Sequence, residues 1–518
     1  MAGTLKTTSI TAPGFFGLNT QESSVNLESG YATVANNCVI DKFGRLGARK
    51  GWVTVTTNNG DLADNESIES IFEFKDVSGN ITYFSAGGGK LFSGTTTLTR
   101  ELIYGPDSGG PIALSPQPTF ENNRWQFAAT QEASGHNAEG YAFAAQLGET
   151  LLVNRETGTA HLGARRWQTL GDYGNKPTGV STFDPDCVLA AYGRIWTANL
   201  TNNKLTVFYS DLLDPTDFPN GGVLDVSSKV GSNDEIVALA AHNGYLVIFL
   251  KNNILVYSNA DNVSNITISD TITGIGCVAR DSVQNTGTDL IFLSKTGVRS
   301  FNRTVQENSM PLRELSLNIR DDLVSYLDLE INLSNIKSAY YERDALYLLT
   351  FPGSKLMVYF DLRNVLQNGA ARASIWINTT ATTYTAFCST NDRQLLLGLP
   401  GKIGRYDGYL DGTDSYQFKY YTTNTDLGEA TSNKMLKKAE ILVIGSGDQP
   451  FVFKYGYDYT LNPYSINAVK NLGSATFSKY NTTAKFNISK YASAGIGVKA
   501  ISLPLGGSGK VLQFGVEA

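Results

Sequence analysis

The stretch Val237-Ala-Leu-Ala-Ala-His-Asn-Gly-Tyr-Leu-Val-Ile-Phe-Leu-Lys-Asn-Asn-Ile-Leu-Val-Tyr257 decides the fold. It holds a strand of small residues, then an apolar strand from Tyr245 to Leu250, then a second from Ile254 that closes on an aromatic residue, Tyr257. Residues of this kind suit a pleated, buried surface. The same unit recurs on both sides. Arg194-Ile-Trp-Thr-Ala-Asn199 leads to Thr206-Val-Phe-Tyr209, and Leu290-Ile-Phe-Leu293 to Val298-Arg-Ser-Phe301. Leu346-Tyr-Leu-Leu-Thr-Phe351 leads to Leu356-Met-Val-Tyr-Phe360, and Leu395-Leu-Leu-Gly398 to Ile403-Gly-Arg-Tyr406. Weaker copies are Ile81 to Phe92 and Thr150 to Leu162, the latter with its second strand at 159–162.

Small-residue strands begin at Val188, Val237, Lys337 and Tyr384, at spacings of 49, 100 and 47; the longest interval contains the 290–301 unit. A period of 45–50 residues with three or four strands per unit is the pattern of β-propeller blades. Inner strands converge on the axis, so small residues fit there. The connections Lys251-Asn-Asn253, Lys295-Thr-Gly297, Pro352-Gly-Ser354 and Pro400-Gly-Lys402 supply Gly or Asn for positive φ.

The fold class expected is therefore mainly β: a propeller over 61–428, an N-terminal extended arm over 1–60 with one short helix near 28–37, and a small C-terminal antiparallel sheet or sandwich over 429–518. In that last part Thr476 to Tyr480 and Thr483 to Phe486 are among the alternating strands. One inserted helix is expected over 309–327, capped by Ser309 with Pro311 in its first turn; Leu312, Leu315, Ile319, Leu323 and Tyr326 fall at helical spacing.

Composition narrows the function classes. Charged residues are 17% of 518, below the roughly 25% of an ordinary soluble domain. No apolar run is long enough to span a bilayer, since Ile236 to Leu250 is interrupted by His242, Asn243 and Gly244. Residues 1–11 lack the apolar core of a secretory signal. Cys38, Cys187, Cys277 and Cys388 stand far apart, as buried thiols do and disulfide frameworks do not. The net charge is −6. Residues 1–60 carry five basic and three acidic groups and residues 429–518 ten and five, so the stretch between holds −13. Such a surface does not grip phosphates, though nucleic acid can slide past it.

No catalytic or cofactor motif is present, and no cofactor or metal is expected. His136, His161 and His242 are scattered. Asp184 and Asp186 flank Pro185, and Asp211, Asp214 and Asp217 share a loop with Pro215 and Pro219; acids in such loops cap turns. Asp407, Asp411 and Asp414 resemble a calcium loop only faintly, because no closing Glu follows.

The first 51 residues carry a more specific signal. Phe16-Gly-Leu-Asn19, Leu27-Glu-Ser-Gly30 with Ala32 and Ala35-Asn-Asn37, Asp41-Lys-Phe-Gly-Arg45 and Arg49-Lys-Gly51 follow in order. Further on come Ala190-Ala-Tyr-Gly-Arg-Ile-Trp196, Phe208-Tyr-Ser-Asp211, Leu213-Asp-Pro-Thr216, and Asp234-Glu-Ile236 before Tyr245-Leu-Val-Ile-Phe249. In these pieces, over roughly 15–51 and 187–302, the chain resembles the tail nozzle (tail hub or tail tubular) proteins of short-tailed bacteriophages. The resemblance implies a non-enzymatic structural protein of the virion tail, a β-propeller subunit in a homo-oligomeric ring, commonly sixfold. Such a ring contacts tail adaptor and tail fibre proteins and passes phage DNA through its lumen without sequence-specific binding. Arg45 and Arg49 are the candidate subunit-contact residues, able to pin the arm to a neighbour by bidentate hydrogen bonds; packing of a turn within the chain is the alternative. Other readings are a different tail component, an adaptor or receptor-binding part, and a glycan-binding or glycan-hydrolysing propeller.

Overall fold

The computed structural model describes residues 15–24, 26–40, 45–105, 112–131, 140–156, 165–171, 175–231, 233–302, 314–379, 383–445, 450–459, 470–471 and 497–518. The chain divides into two compact units. One comprises Lys50–Ala371 and Ile377–Ser415; the other comprises Met1–Arg49, Arg372–Trp376 and Tyr416–Ala518.

The larger unit is a β-propeller. Blade 1 is built from Ile68–Lys75, Ile81–Gly87, Lys90–Ser93 and Thr99–Arg100. Blade 2 is built from Gln126–Gln131, Gly140–Gln146, Glu149–Glu156 and Arg165–Thr169, with Ile103–Tyr104 added in parallel outside. Blade 3 runs through Pro185–Ala191, Arg194–Leu200, Asn203–Tyr209 and Gly222–Asp225, and blade 4 through Ile236–His242, Tyr245–Leu250, Asn253–Ser258 and Thr267–Thr273. Blade 5 has Gln284–Asn285, Leu290–Ser294 and Gly297–Ser300. The last blade has Ala386–Ser389, Leu395–Leu399, Lys402–Tyr406 and, as its outer strand, Trp52–Thr54. These six are self-contained sheets. The meander Ser338–Tyr341, Leu346–Phe351 and Leu356–Asp361 stands between blade 5 and the last as a further blade, so they are numbered 6 and 7.

First strands pack on the first strands of neighbouring blades, which places them around the axis. Their small residues permit that approach: Ala238, Ala240, Ala339 and Ala386 are all buried. The apolar cores lie between blades rather than within them. Phe143 and Val153 of blade 2 meet Val188, Ile195 and Phe208 of blade 3. Trp196 and Val207 of blade 3 meet Leu246, Ile248 and Leu255 of blade 4. Each such side chain contributes about 1.5–3 kcal/mol on burial.

Closure comes from far away in sequence. Trp52, Val53 and Thr54 pair antiparallel with Tyr406, Arg405 and Gly404. Trp52 also donates its N–H to Leu410 O and accepts from Gly412 N–H, at 2.8 and 2.9 Å. Gly404 and Gly412 are required beside it, since a Cβ at Gly412 would sit 2.8 Å from the Trp52 ring. Thr56 then hydrogen-bonds Ile403 on one side and Thr95 of blade 1 on the other. The residues expected in an arm up to 60 thus include a propeller strand.

Several turns differ from expectation. Gly297 and Gly401 hold the positive φ expected of them, but Tyr192-Gly193 and Asn243-Gly244, between first and second strands, are left-handed as well, and in the 352–355 turn it is Lys355 rather than Gly353. No residue of Lys251-Asn-Asn253 has positive φ. The Asp234 carboxylate holds that turn instead, accepting from Asn252 N–H and from Asn253 Nδ2 at 3.1 and 2.6 Å. In blade 2 the outer strand is Arg165–Thr169; the expected 159–162 lies outside the described residues. The inserted helix is shorter, a 3₁₀ turn Leu317–Ile319 leading into Arg320–Asp328. Leu323 is buried and Tyr326 packs on Phe351; Ser309, Pro311 and Leu312 lie outside the described residues.

In the smaller unit, Tyr31–Asn36, Lys419–Thr422, Leu512–Glu517 and Pro450–Tyr457 form consecutive antiparallel strands, with Arg372–Trp376 parallel beside the first. The helix expected near 28–37 is therefore a strand. Ala32 and Ala35 favour a helix in isolation, but both are fully buried where the chain pairs with Thr422 and Tyr420, and that pairing overrides propensity. Lys438–Gly445 pairs with Gly497–Pro504 as a two-stranded sheet. Phe451, Phe453, Tyr455, Ile501 and Leu512 form the core. The expected strands at 476–480 and 483–486 lie outside the described residues.

Trp52→Ala removes the ring that fills the closing strand's contacts. It is expected to lower stability by about 3–5 kcal/mol in urea titration, several times the cost of truncating an exposed aromatic such as Tyr409.

Candidate functional site: an ion cluster across the propeller axis

The loop acids are engaged in structure. Asp214 Oδ1 accepts from Thr216 N–H, Thr216 Oγ1–H and Asp217 N–H; Asp217 accepts from Asn220. Asp411 accepts from Thr379 N–H. Among the described residues no three His, Cys, Asp or Glu side chains gather to hold a metal. His242 is buried with its ring against Phe301 and Asn243; His136 and His161 lie outside the described residues. Cys38, Cys187 and Cys277 are buried and Cys388 half-buried, all as free thiols. Burial pushes the Cys277 thiol up to about 11 and Cys388 up to about 12.

Asp186 departs from the turn-capping pattern. It begins the inner strand of blade 3, and its Oδ1 accepts from Arg280 Nη1 at 2.7 Å. Arg280 enters from the 3₁₀ turn Arg280–Ser282, just before the first strand of blade 5. The same Nη1 donates to Asp186 O, and Nη2 donates to Arg124 O, immediately before the first strand of blade 2. Asp281 takes Arg280 Nε at 2.8 Å and Nη2 at 3.0 Å, and accepts from Lys337 Nζ, which lies just before the first strand of blade 6. One guanidinium therefore joins blades 2 and 3 to blades 5 and 6. Those pairs lie on opposite sides of the ring of blades, so the cluster bridges the axis.

Arg280 and Lys337 are each 7% exposed. Burial alone would lower the Arg280 pKa, and Asp186 with Asp281 outweighs it and raises it. Burial alone would raise the Asp281 carboxyl; Arg280 and Lys337 hold it well below the usual carboxylate range. Lys337 moves down, because burial and the like charge of Arg280 exceed what Asp281 restores. Isolated buried charges are costly, and mutual pairing is what retains these. The chemistry available is cross-linking: Arg280 and Lys337 each donate to an acceptor of another blade. Sequence reasoning did not single out Arg124, Arg280, Asp281 or Lys337. The available signal was Arg280-Asp281, a charged pair straight after the apolar Cys277-Val-Ala279.

The two candidate contact residues part ways. Arg45 is exposed. Arg49 is fully buried, which corrects its assignment to a subunit contact. Its Nε donates to Asn37 Oδ1 at 2.8 Å, its guanidinium stacks 4.1 Å from the Tyr416 ring, and its carbonyl accepts from the Tyr416 hydroxyl. Asn37, at φ +57°, also donates from Nδ2 to Gln417 O. The stretch that suggested an outward clamp is thus a pin inside its own unit, because stacked aromatics and an amide satisfy the guanidinium locally.

No family model and no curated protein sequence matches the chain. Among solved structures it is similar to the extracellular domain of a hybrid two-component system from B. thetaiotaomicron, at 13% identity and TM-score 0.39, covering 66% of this chain and 40% of that one. It is also similar to the extracellular domain of a one-component system from the same organism, at 13% and 0.41, covering 94% and 63%. A third is the Pan2 WD40 domain of Neurospora crassa, at 10% and 0.33, covering 69% and 94%. The chain spans less than two thirds of the length of the first two. Likenesses of this strength carry no argument about activity. No helix among the described residues is long and apolar enough to cross a membrane.

Asp281→Asn leaves Arg280 and Lys337 underpaired and is expected to cost about 3–5 kcal/mol. The sign with pH follows from the depressed carboxyl. Its stabilisation is present above the unfolded value near pH 3.9 and is lost as pH falls below it. Denaturant titrations from pH 5 to pH 2 should therefore show a shallower acid loss in the variant than in the wild type.

Proposed function

We propose that the chain is a structural subunit of a phage tail, a nozzle protein whose copies surround a DNA passage. The observation that carries this reading is the ion cluster that spans the propeller axis. Buried Arg280 and Lys337, with half-buried Asp186 and Asp281 and the Arg124 carbonyl, tie blades 2, 3, 5 and 6 together there, so any conduit lies between copies. Of the acids weighed for hydrolysis, Asp214 and Asp217 cap turns and Asp186 is held by Arg280.

Two further features support it. The N-terminal signature residues do structural work at once: Gly17 has φ +92° and a Cβ there would meet the Ala373 backbone at 2.6 Å, Asn19 is buried and caps Gln21 N–H, and Arg49 is pinned as described. The −13 of residues 61–428 suits a passage wall, because like charge repels a polyanion over roughly 8–10 Å and lets it slide. Adaptor and fibre proteins would dock on the ring's two faces.

Native mass measurement with negative-stain imaging tests the reading. The expected particle is a ring of several copies of the 56.1 kDa chain, six by the resemblance, with acidic side chains of 61–428 facing the hole. A lone 56.1 kDa particle, or a basic lumen, would contradict it.

A further inference from the structure

Two surface patches of opposite sign stand on different parts of the chain. The first is a knuckle on blade 3. Leu212 and Leu213 are 48% and 43% exposed at the tip of a loop. Leu213 sits at φ +61°, a region leucine rarely adopts. The loop is held there by Leu213 N–H donating to Gly193 O and Asp211 N–H donating to Asp217 O, each at 2.8 Å. Both leucines lie over Gly193, next to Tyr192, whose hydroxyl donates to Tyr245 O of blade 4. The rim is acidic. Asp211 is half-exposed, and Asp261 is exposed and close enough that, after burial, its charge helps push the Tyr192 hydroxyl up.

The second patch is the outer face of Lys438–Gly445. Among the described residues this strand pairs only with Gly497–Pro504, leaving its other edge open. Leu442 and Ile444 are 67% and 36% exposed, beside exposed Lys437 and Lys438, the latter paired with Glu440 on the same face at 2.5 Å, so that Lys437 carries the net positive charge there. Residues 429–518 carry +5 within a chain of −6. Two apolar patches with charged rims are more than scattered surface hydrophobics.

We infer that the knuckle of one copy seats on the Lys438–Gly445 face of the next. This rests on the ring reading and names its contact. Either patch meeting its own counterpart would set like charge against like, whereas knuckle on strand face sets aspartates against Lys437. The favoured pairing is therefore heterologous, the kind that repeats around a ring.

The test uses two full-length variants, Leu213→Asp and Leu442→Asp, each at an exposed position; aspartate also tolerates positive φ. Circular dichroism and melting check the fold. By light scattering after size exclusion, wild type is expected as the ring and each variant alone at 56.1 kDa. An equimolar mixture should give a species of twice that mass, since it retains one intact knuckle and one intact face. Variants that assemble like wild type, or a mixture that stays at the single-chain mass, overturn this contact while the ring stands. A wild type that runs as a single chain overturns the ring itself. Should either aspartate unfold the chain, charge reversal serves instead. Asp261→Lys and Lys437→Glu should each weaken assembly, the combined swap should restore it, and additive weakening overturns the contact.

Discussion

The larger unit depends on one short piece of sheet. Trp52–Thr54 is the fourth strand of a blade whose other three strands lie far later in the chain, between Ala386 and Tyr406. Without it the last blade would present Lys402–Tyr406 as an unpaired edge, and the chain entering blade 1 would not be tied to that blade. With it, each blade has a neighbour on both sides and the interblade cores are continuous, as between Ile68, Ile71 and Phe92 of blade 1 and Ala386, Leu396 and Ile403 of blade 7. Closing so large a loop costs entropy that grows only slowly with its length, so distance in sequence is a mild obstacle. Thr56 continues the lock into blade 1 through Thr95.

A propeller closed at its rim still needs its axis filled or lined. Here opposite blades are joined by Arg280, with Asp186, Asp281, Lys337 and the Arg124 carbonyl as partners. Such a cluster adds little net stability against an apolar plug of equal volume, yet breaking it is costly. Its effect is to fix the relative positions of blades that share no core. A block held rigid at rim and axis is suited to forming repeated contacts with copies of itself.

Much of the fold was legible in the sequence, because blades repeat. Apolar strands ending in aromatics, such as Leu346 to Phe360, announced themselves by composition and length. The outer strands did not: Gly222–Asp225 and Thr267–Thr273 are mostly exposed and carry no strong pattern. The alanines at 32 and 35 misled, since a partner strand at 419–422 decides their state and local propensity does not. The turn at 251–253 misled in another way. Its support is the Asp234 carboxylate, 18 residues before Asn252, and nothing in the local sequence of the turn points back to it. The axial cluster was least legible. Its members come from 124, 186, 280, 281 and 337, and only the closed ring brings them together.

Hydrogen–deuterium exchange measured by mass spectrometry tests the closing strand most directly. If Trp52–Thr54 locks the ring, its amides and those of Lys402–Tyr406 should exchange together, at the slow rate of the blade interiors. Fast exchange at 52–54 while 402–406 stays protected would show a fraying end rather than a lock, and would contradict the account.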